Sequence, residues 1–404
     1  MSIYQKASLV QIPSGYKAAD DKLYSVVPSN GDGDFTVTVD ADATRVNKDG
    51  LIESVVADQA RLNYDPTNPQ DPHLLLEPSR TNFVSPNNSL TGYTLNGVST
   101  TNNDAIAPNG TNEGAKVQAT TSGTAVVFKG FSTTSSNATH NFSVFVKAGT
   151  HNILQIQEGF AGANIIVDLS DGTEVSSQNA TNKKIEEYPN GWYRVSFNFT
   201  SNGTNLQFSI YFSGSYSSGD NYYVWGGQIE AGSYPTSYIP TSGSAVTRTA
   251  DFCFINSGLQ NVLNTSEGTL FVDVEVPRVS TSGSYERIAL TDQTSATDRI
   301  LIDNFGGNWR ALTLSSAGTE AVTVRSTQAN TRIKIAFAYS SSQIRVSYDG
   351  NDATTTSISY TPSTTLESFK FSNKDGGNKW QGKIYQAIYF DTALTNAELK
   401  QLTS

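Results

Sequence analysis

The chain has 404 residues, enough for roughly two or three domains with cores of their own. Charged residues make up 16% against roughly 25% in an average soluble protein, and Ser, Thr, Asn and Gly replace them beside 19 Tyr and 19 Phe. A formal charge of −10 with no basic stripe argues against nucleic acid as a partner, and the single cysteine, Cys253, excludes an internal disulfide.

The first twenty residues hold no long apolar core and no cleavage signature, and no stretch approaches a membrane span. The composition looks extracellular without an export signal, which fits a protein built in a host cytoplasm and released by lysis. Residues 1–34 mix short apolar pieces with turn formers, too little for a core. They are expected to lie as an arm on another surface, of this chain or of a partner. Asn30-Gly-Asp-Gly-Asp34 lacks the spacing and distal Glu of a calcium loop and reads as a turn.

Phe35–Val39 alternates as a strand, and Arg45–Val56 reads as a hairpin turning at Asp49-Gly50. A Pro-rich loop, 65–72, precedes the apolar run from His73, which Pro78 stops; its brevity suits a buried strand. From 83 to 230 short strands follow one another: Asn141–Lys147, Ile153–Gln157, Asn164–Asp168, Trp192–Phe199, Leu206–Phe212 and Tyr222–Ile229 among them. In the last of these, strict alternation puts Tyr223, Trp225 and Ile229 on one face and Tyr222, Val224 and Gln228 on the other. Two-faced alternation without helices predicts an antiparallel β-sandwich.

The alternation stops at a strap holding Pro235 and Pro240, each restricting itself and the residue before it. Tyr234, Tyr238 and Ile239 are too apolar for a free linker, so the strap is expected to pack at a junction between two β-rich domains. A second strand set follows, from Thr269–Val276 through Arg332–Tyr339 and Gln343–Tyr348 to Lys383–Phe390. Thr395-Asn-Ala-Glu398 is a capping-box pattern that predicts a short C-terminal helix, with Ala397, Leu399 and Leu402 towards a core.

Several stretches together resemble tailed-bacteriophage structural proteins: Ile12–Lys17, Ala43–Glu53, Leu74–Asn82, Gly191-Trp-Tyr-Arg194 and 225–251. Gly268 to the end resembles a concanavalin A-like (laminin-G-like) sandwich, closing on Gly382–Leu399 as that group's last strand and helix do. Two motifs depart from the phage proteins: Val37–Asp42 replaces an Arg-containing segment, and Asp71-Pro-His73 replaces Cys-Pro-Ser. The resemblance implies a virion component, a homotrimer, docked to other virion proteins through its N-terminal part. It also implies that 74–77 and 225–230 pair as neighbouring strands of the first sandwich. The expected organisation is all-β: an arm with hairpins (1–73), a jelly-roll sandwich like a carbohydrate-binding module (74–245), and a concanavalin A-like sandwich (246–404).

Glycosidase chemistry needs two carboxylates about 5 to 9.5 Å apart. Asp273-Val-Glu275 offers two acids of a Glu-x-Asp-x-Glu pattern without the third, and they read as ordinary outward-facing residues. His73, His140 and His151 lack metal-ligand spacing, and the last two are expected at the surface. No catalytic residue, metal or cofactor is assigned. Glycan binding asks for an aromatic face beside amides. Trp309 after Asn308, and Trp380 after Asn378, follow polar glycine loops and are the candidate site, with a core plug as the competing role for each tryptophan. Trp192 and Trp225 are assigned to the first sandwich's core, and Cys253 to a small buried apolar position. The expected function is a non-enzymatic fibre, spike or decoration protein that holds host-surface glycan. The rivals are a purely structural decoration and a polysaccharide-degrading enzyme.

Overall fold

Phe142, Val144 and Val146 alternate along the Thr139–Ala148 strand, and all are fully buried. Phe142 stacks on Phe197 of its own sheet at 5.1 Å and on Phe208 of the facing sheet at 5.0 Å, so aromatic rings from two sheets form one core. This is the first of two antiparallel sandwiches in the computed structural model, which describes residues 2–17, 22–133, 135–280, 285–292, 299–315, 318–362, 364–372 and 379–404. The described residues are all-β with one short C-terminal α-helix, as expected.

Two six-stranded sheets build the first sandwich. The junction sheet runs Val98–Ala105, Gly114–Ala119, Asn221–Ala231, Thr139–Ala148, Trp192–Thr200, Thr181–Tyr188. The distal sheet runs Thr94–Asn96, Val126–Ser132, Asn205–Phe212, Ile153–Glu158, Ala163–Asp168, Thr173–Gln178.

Strict alternation fails in Asn221–Ala231. Val224 pairs with Val146 and Trp225 with Phe145, but Gln228 pairs with Ser143. One extra residue is accommodated at Gly226, whose φ of +64° suits glycine. The bulge flips parity: Ile229 joins Tyr222 and Val224 in the sandwich core, while Gln228 joins Trp225 on the opposite face. Trp192 and Trp225 are therefore buried, but not in the core expected for them. They lie on the junction sheet's other face, with Phe145, Tyr188, Tyr238, Val46 and Ile52.

The described part of residues 1–73 lies on this chain, one of the two surfaces expected for it, as strands built into the second sandwich. Leu9–Gln11 pairs with one end of Gly382–Phe390, His73–Leu76 pairs with the other, and Thr36–Thr38 pairs with Phe252–Ile255. The second sandwich thus has an eight-stranded and a seven-stranded sheet, each holding strands from the N-terminal segment and from beyond residue 250. Leu9, Val37, Leu74 and Leu76 share its core with Leu270, Ile335 and Tyr389. Strands of two to four residues cannot stand alone, and here they cover edges that would otherwise stay unpaired.

The implied pairing of 74–77 with 225–230 does not occur. After Pro78 the chain crosses over, and Phe83 N donates to Ile229 O at 3.0 Å, while Asn82 Nδ2 donates to Gly227 O at 3.3 Å. The helix Asn396–Thr403 has its capping box between Thr395 and Glu398. Leu399 and Leu402 are buried against Phe271, Ile388 and Phe390; Ala397 is exposed.

Candidate functional site

The tryptophans expected to offer a sugar platform cannot do so. Trp309 and Trp380 are each 1% exposed and stack on one another, 6.0 Å between centroids, inside the second sandwich. Register explains this. Trp309 sits opposite Asn304, next to the chain reversal at Gly306-Gly307, and turns inward as Ala311 does two residues on. Asn308 is half-buried, and its Nδ2 donates to Gly306 O at 3.1 Å. Asn378 lies outside the described residues.

Other expected surface groups are also interior. His140 is fully buried, stacked on Phe199 at 5.5 Å; His151 is 6% exposed, with Nε2 2.8 Å from Ile153 O and 2.9 Å from Ser213 O. Asp273 is buried and receives a bidentate bond from Arg332 (2.6 and 2.8 Å), and Glu275 is paired with Lys383 at 3.0 Å. Both acids are committed to cations. Among the described residues no group of three or more His, Cys, Asp or Glu could hold a metal ion.

Among the described residues two surfaces have the chemistry to bind a ligand. The first is the outward face of the distal sheet. Register aligns Asn96, Val126, Tyr211, Gln155, Ile166 and Ser176 in one row across the strands. The next row holds Thr94, Phe128, Ser209, Gln157, Asn164 and Gln178. Neither row contains a charge. Tyr211, Phe128, Gln155, Gln157 and Asn164 are half-buried, their inner neighbours forming the sandwich core. Gln155 Nε2 donates to Gln157 Oε1 at 2.6 Å, which orients the two amides side by side. Planar rings beside amide donors and acceptors can hold the faces and hydroxyls of sugars.

The second surface is a cleft of about 770 Å³ where the N-terminal segment, the strap and the two sandwiches meet. Its wall carries Arg45, Lys183, Lys184, Arg194, Arg278 and Lys383 against Asp65, Glu77, Glu186 and Glu275, a cationic excess within a chain of net charge −10. The strap forms one side. Tyr234, Tyr238 and Ile239 are buried, and Trp225 lies 4.3 Å from Tyr238. Glu230 anchors the strap by accepting from Thr236 N (2.6 Å) and Thr236 Oγ1 (2.7 Å).

Beneath the strap lies an ionic network. Arg61 and Arg248 both donate to Glu77 Oε2, at 2.7 and 2.6 Å, and Arg61 also pairs with Asp251. Ser237 N donates to Glu77 Oε1 at 2.8 Å. Burial opposes ionisation of Glu77, but the two guanidinium groups outweigh it and hold the carboxyl well below the usual carboxylate range. In the lining of the cleft burial pushes the His73 imidazole down to about 3, so it is neutral at physiological pH.

The sequence held partial signals for both surfaces. Gln155 and Gln157 alternate with apolar residues, and Arg194 is the one charge of the Trp192–Phe199 run, at an alternating polar position like Ser196 and Asn198. Strand register was needed to assemble the first surface, and the strap to enclose the second.

No protein-family model and no curated protein matches this chain. Among solved structures, it is similar to the CBM40 of the Ruminococcus gnavus IT-sialidase bound to α2,3-sialyllactose, at 10% identity and TM-score 0.31, over 36% of this chain and 87% of that one. It is also similar to the receptor-binding domain of a botulinum neurotoxin of mosaic serotype C/D, at 11% identity and TM-score 0.32, over 38% and 39%. For a leech intramolecular trans-sialidase complexed with 2,7-anhydro-Neu5Ac the values are 12% and 0.31, over 36% and 24%.

Proposed function

We propose that this chain is a glycan-binding structural protein of a tailed-phage virion, holding host-surface polysaccharide without cleaving it. The observation that carries the glycan reading is the pair of uncharged rows on the distal sheet, where Tyr211 and Phe128 lie among Gln155, Gln157 and Asn164. A neutral sugar chain matches that face, since its hydroxyls satisfy amides and its ring faces stack on aromatics, with no ion to desolvate. Binding without hydrolysis is supported by Asp273 and Glu275, whose carboxylates are engaged by Arg332 and Lys383. The virion assignment, with docking to other virion proteins, rests on the recurrent motifs at 12–82 and 191–251.

Affinity electrophoresis through gels containing neutral polysaccharides from host cell surfaces tests the binding. Retardation should be lost in Tyr211→Ala and weakened about tenfold in Gln155→Ala, with melting temperature unchanged in both. Retardation that survives both substitutions would remove the distal face from consideration. Labelling of purified particles with an antibody against this chain tests the virion reading, and light scattering tests the homotrimer.

A further inference from the structure

Arg194 lines the junction cleft and is 7% exposed. Its Nη2 donates to Ser143 Oγ at 3.1 Å and to Thr236 O at 2.7 Å, and the guanidinium lies 5.4 Å from the centroid of the Phe145 ring. The Tyr188 hydroxyl also reaches the group, and its buried Nε has no hydrogen-bond partner, as is true of Arg61 and Arg248, so the lack that sets it apart is of a counter-charge. Among the described residues no carboxylate oxygen lies within 4.0 Å of the group. The contrast with its neighbours is direct: Arg61 and Arg248, fully buried at the same junction, each have an acidic partner.

The acids that could neutralise Arg194 are occupied elsewhere. Glu186, its cross-strand partner, receives Lys184 Nζ at 2.7 Å. Glu230 spends its oxygens on Thr236 and Gln228. Asp65 accepts from Thr67 and Asn68 in its own loop. A buried cation with dipoles around it but no counter-charge is costly to fold, and a bound anion removes that cost. Arg is also the side chain best shaped to grip a carboxylate with two parallel bonds.

The cleft has room for more than an ion. At about 770 Å³ it falls within the range of small-molecule sites, roughly 300–1,000 Å³. Asn63, Tyr64, Asn182 and Ser233 add amides and hydroxyls to its wall. We propose that the junction cleft binds an acidic saccharide, with Arg194 holding the sugar carboxylate. The saccharide part of this assignment rests on the glycan reading above; the carboxylate part rests on Arg194 alone.

Calorimetric titration of the full chain with glucuronate, glucose and acetate tests it. Glucuronate should bind at least tenfold more tightly than either of the others, and Arg194→Gln should weaken it about 10- to 100-fold. Arg194→Lys should recover only part of the loss. Without ligand, Arg194→Gln should melt at or above the wild-type temperature, since it removes an unpaired buried charge; a purely structural arginine would leave it lower. Tyr211→Ala, on the distal face, should leave glucuronate binding unchanged, which separates failure of this site from failure of the neutral-glycan reading. Equal affinity for glucose and glucuronate would overturn the proposal, and so would glucuronate binding untouched by Arg194→Gln. Acetate binding as tightly as glucuronate would reduce the site to a bare oxyanion hole and overturn the saccharide. Should Arg194→Gln not fold, Lys184→Glu on the exposed rim keeps the test: several-fold weaker glucuronate binding is expected, and none of that loss for glucose.

Discussion

Replacing Glu77 with glutamine should destabilise the second sandwich more than any surface change. Glu77 is the shared acceptor for Arg61 Nη1 (2.7 Å), Arg248 Nη1 (2.6 Å) and Ser237 Oγ (2.7 Å), so it ties the N-terminal segment to the strap and to the chain beyond it. Glutamine keeps the shape but removes the charge, leaving two buried guanidinium groups against Asp251 alone. Breaking a buried pair in this way costs about 3–5 kcal/mol. For a folding unit of this size that corresponds to a fall of about 6–20 °C in melting temperature. Scanning calorimetry reads it, with the 83–231 sandwich as internal control, because none of these groups belongs to its core. The pH dependence has a definite sign. The folded carboxyl titrates below its ordinary value, about 4.3. Its contribution is therefore complete above that value and is lost as pH falls through the folded one. The gap between wild type and Glu77→Gln should be full at pH 7 and narrow below about pH 4. A melting temperature within about 2 °C of wild type at pH 7 would refute the assignment of the network as the junction's lock.

Three further outcomes follow from interior groups. Trp309→Ala should cost about 3–5 kcal/mol in denaturant unfolding, as loss of a core plug stacked on Trp380, and should leave glycan retention in the folded fraction intact. His73 is held neutral by burial, down to about 3, so the unfolded chain binds its proton first as pH falls below about 6.5. Stability should drop by about 2 kcal/mol from this group alone between pH 7 and pH 5, with His140 adding in the same direction, and His73→Gln should flatten that stretch of a melting profile. Gly226→Ala should destabilise the first sandwich by at least about 1 kcal/mol, since φ is +64° and a Cβ would sit 2.9 Å from the Phe145 ring; urea unfolding by intrinsic fluorescence checks it.

Much of the fold follows from local pattern. Alternation in Asn141–Lys147 and Leu206–Phe212, turn formers between strands, and Thr395 with Glu398 at a helix start each act within a few residues, so the two-sandwich, all-β class and the C-terminal helix are legible in the sequence. The buried strap was legible for a similar reason: Tyr234, Tyr238 and Ile239 have to leave water somewhere.

What alternation cannot carry is the partner of each strand or the effect of one inserted residue. Gly226 reverses inside and outside for everything after it in its strand, and a glycine there looks like any other until the pairing is seen. The N-terminal strands are too short to reveal that they complete sheets begun more than 200 residues later, because those contacts are non-local and leave no periodic trace. The same holds for the two binding surfaces. Within its own segment each of Tyr211, Gln155, Asn164 and Arg194 reads as no more than one position in an alternation, whatever partial signal Gln155 and Arg194 carry. Strand register brings the first three onto one uncharged face, and closure of the strap over the junction sheet buries the last without a counter-ion. Composition and period set which residues must be hidden; only tertiary pairing decided which of them meet, because the free energy of meeting is realised between segments far apart in the chain.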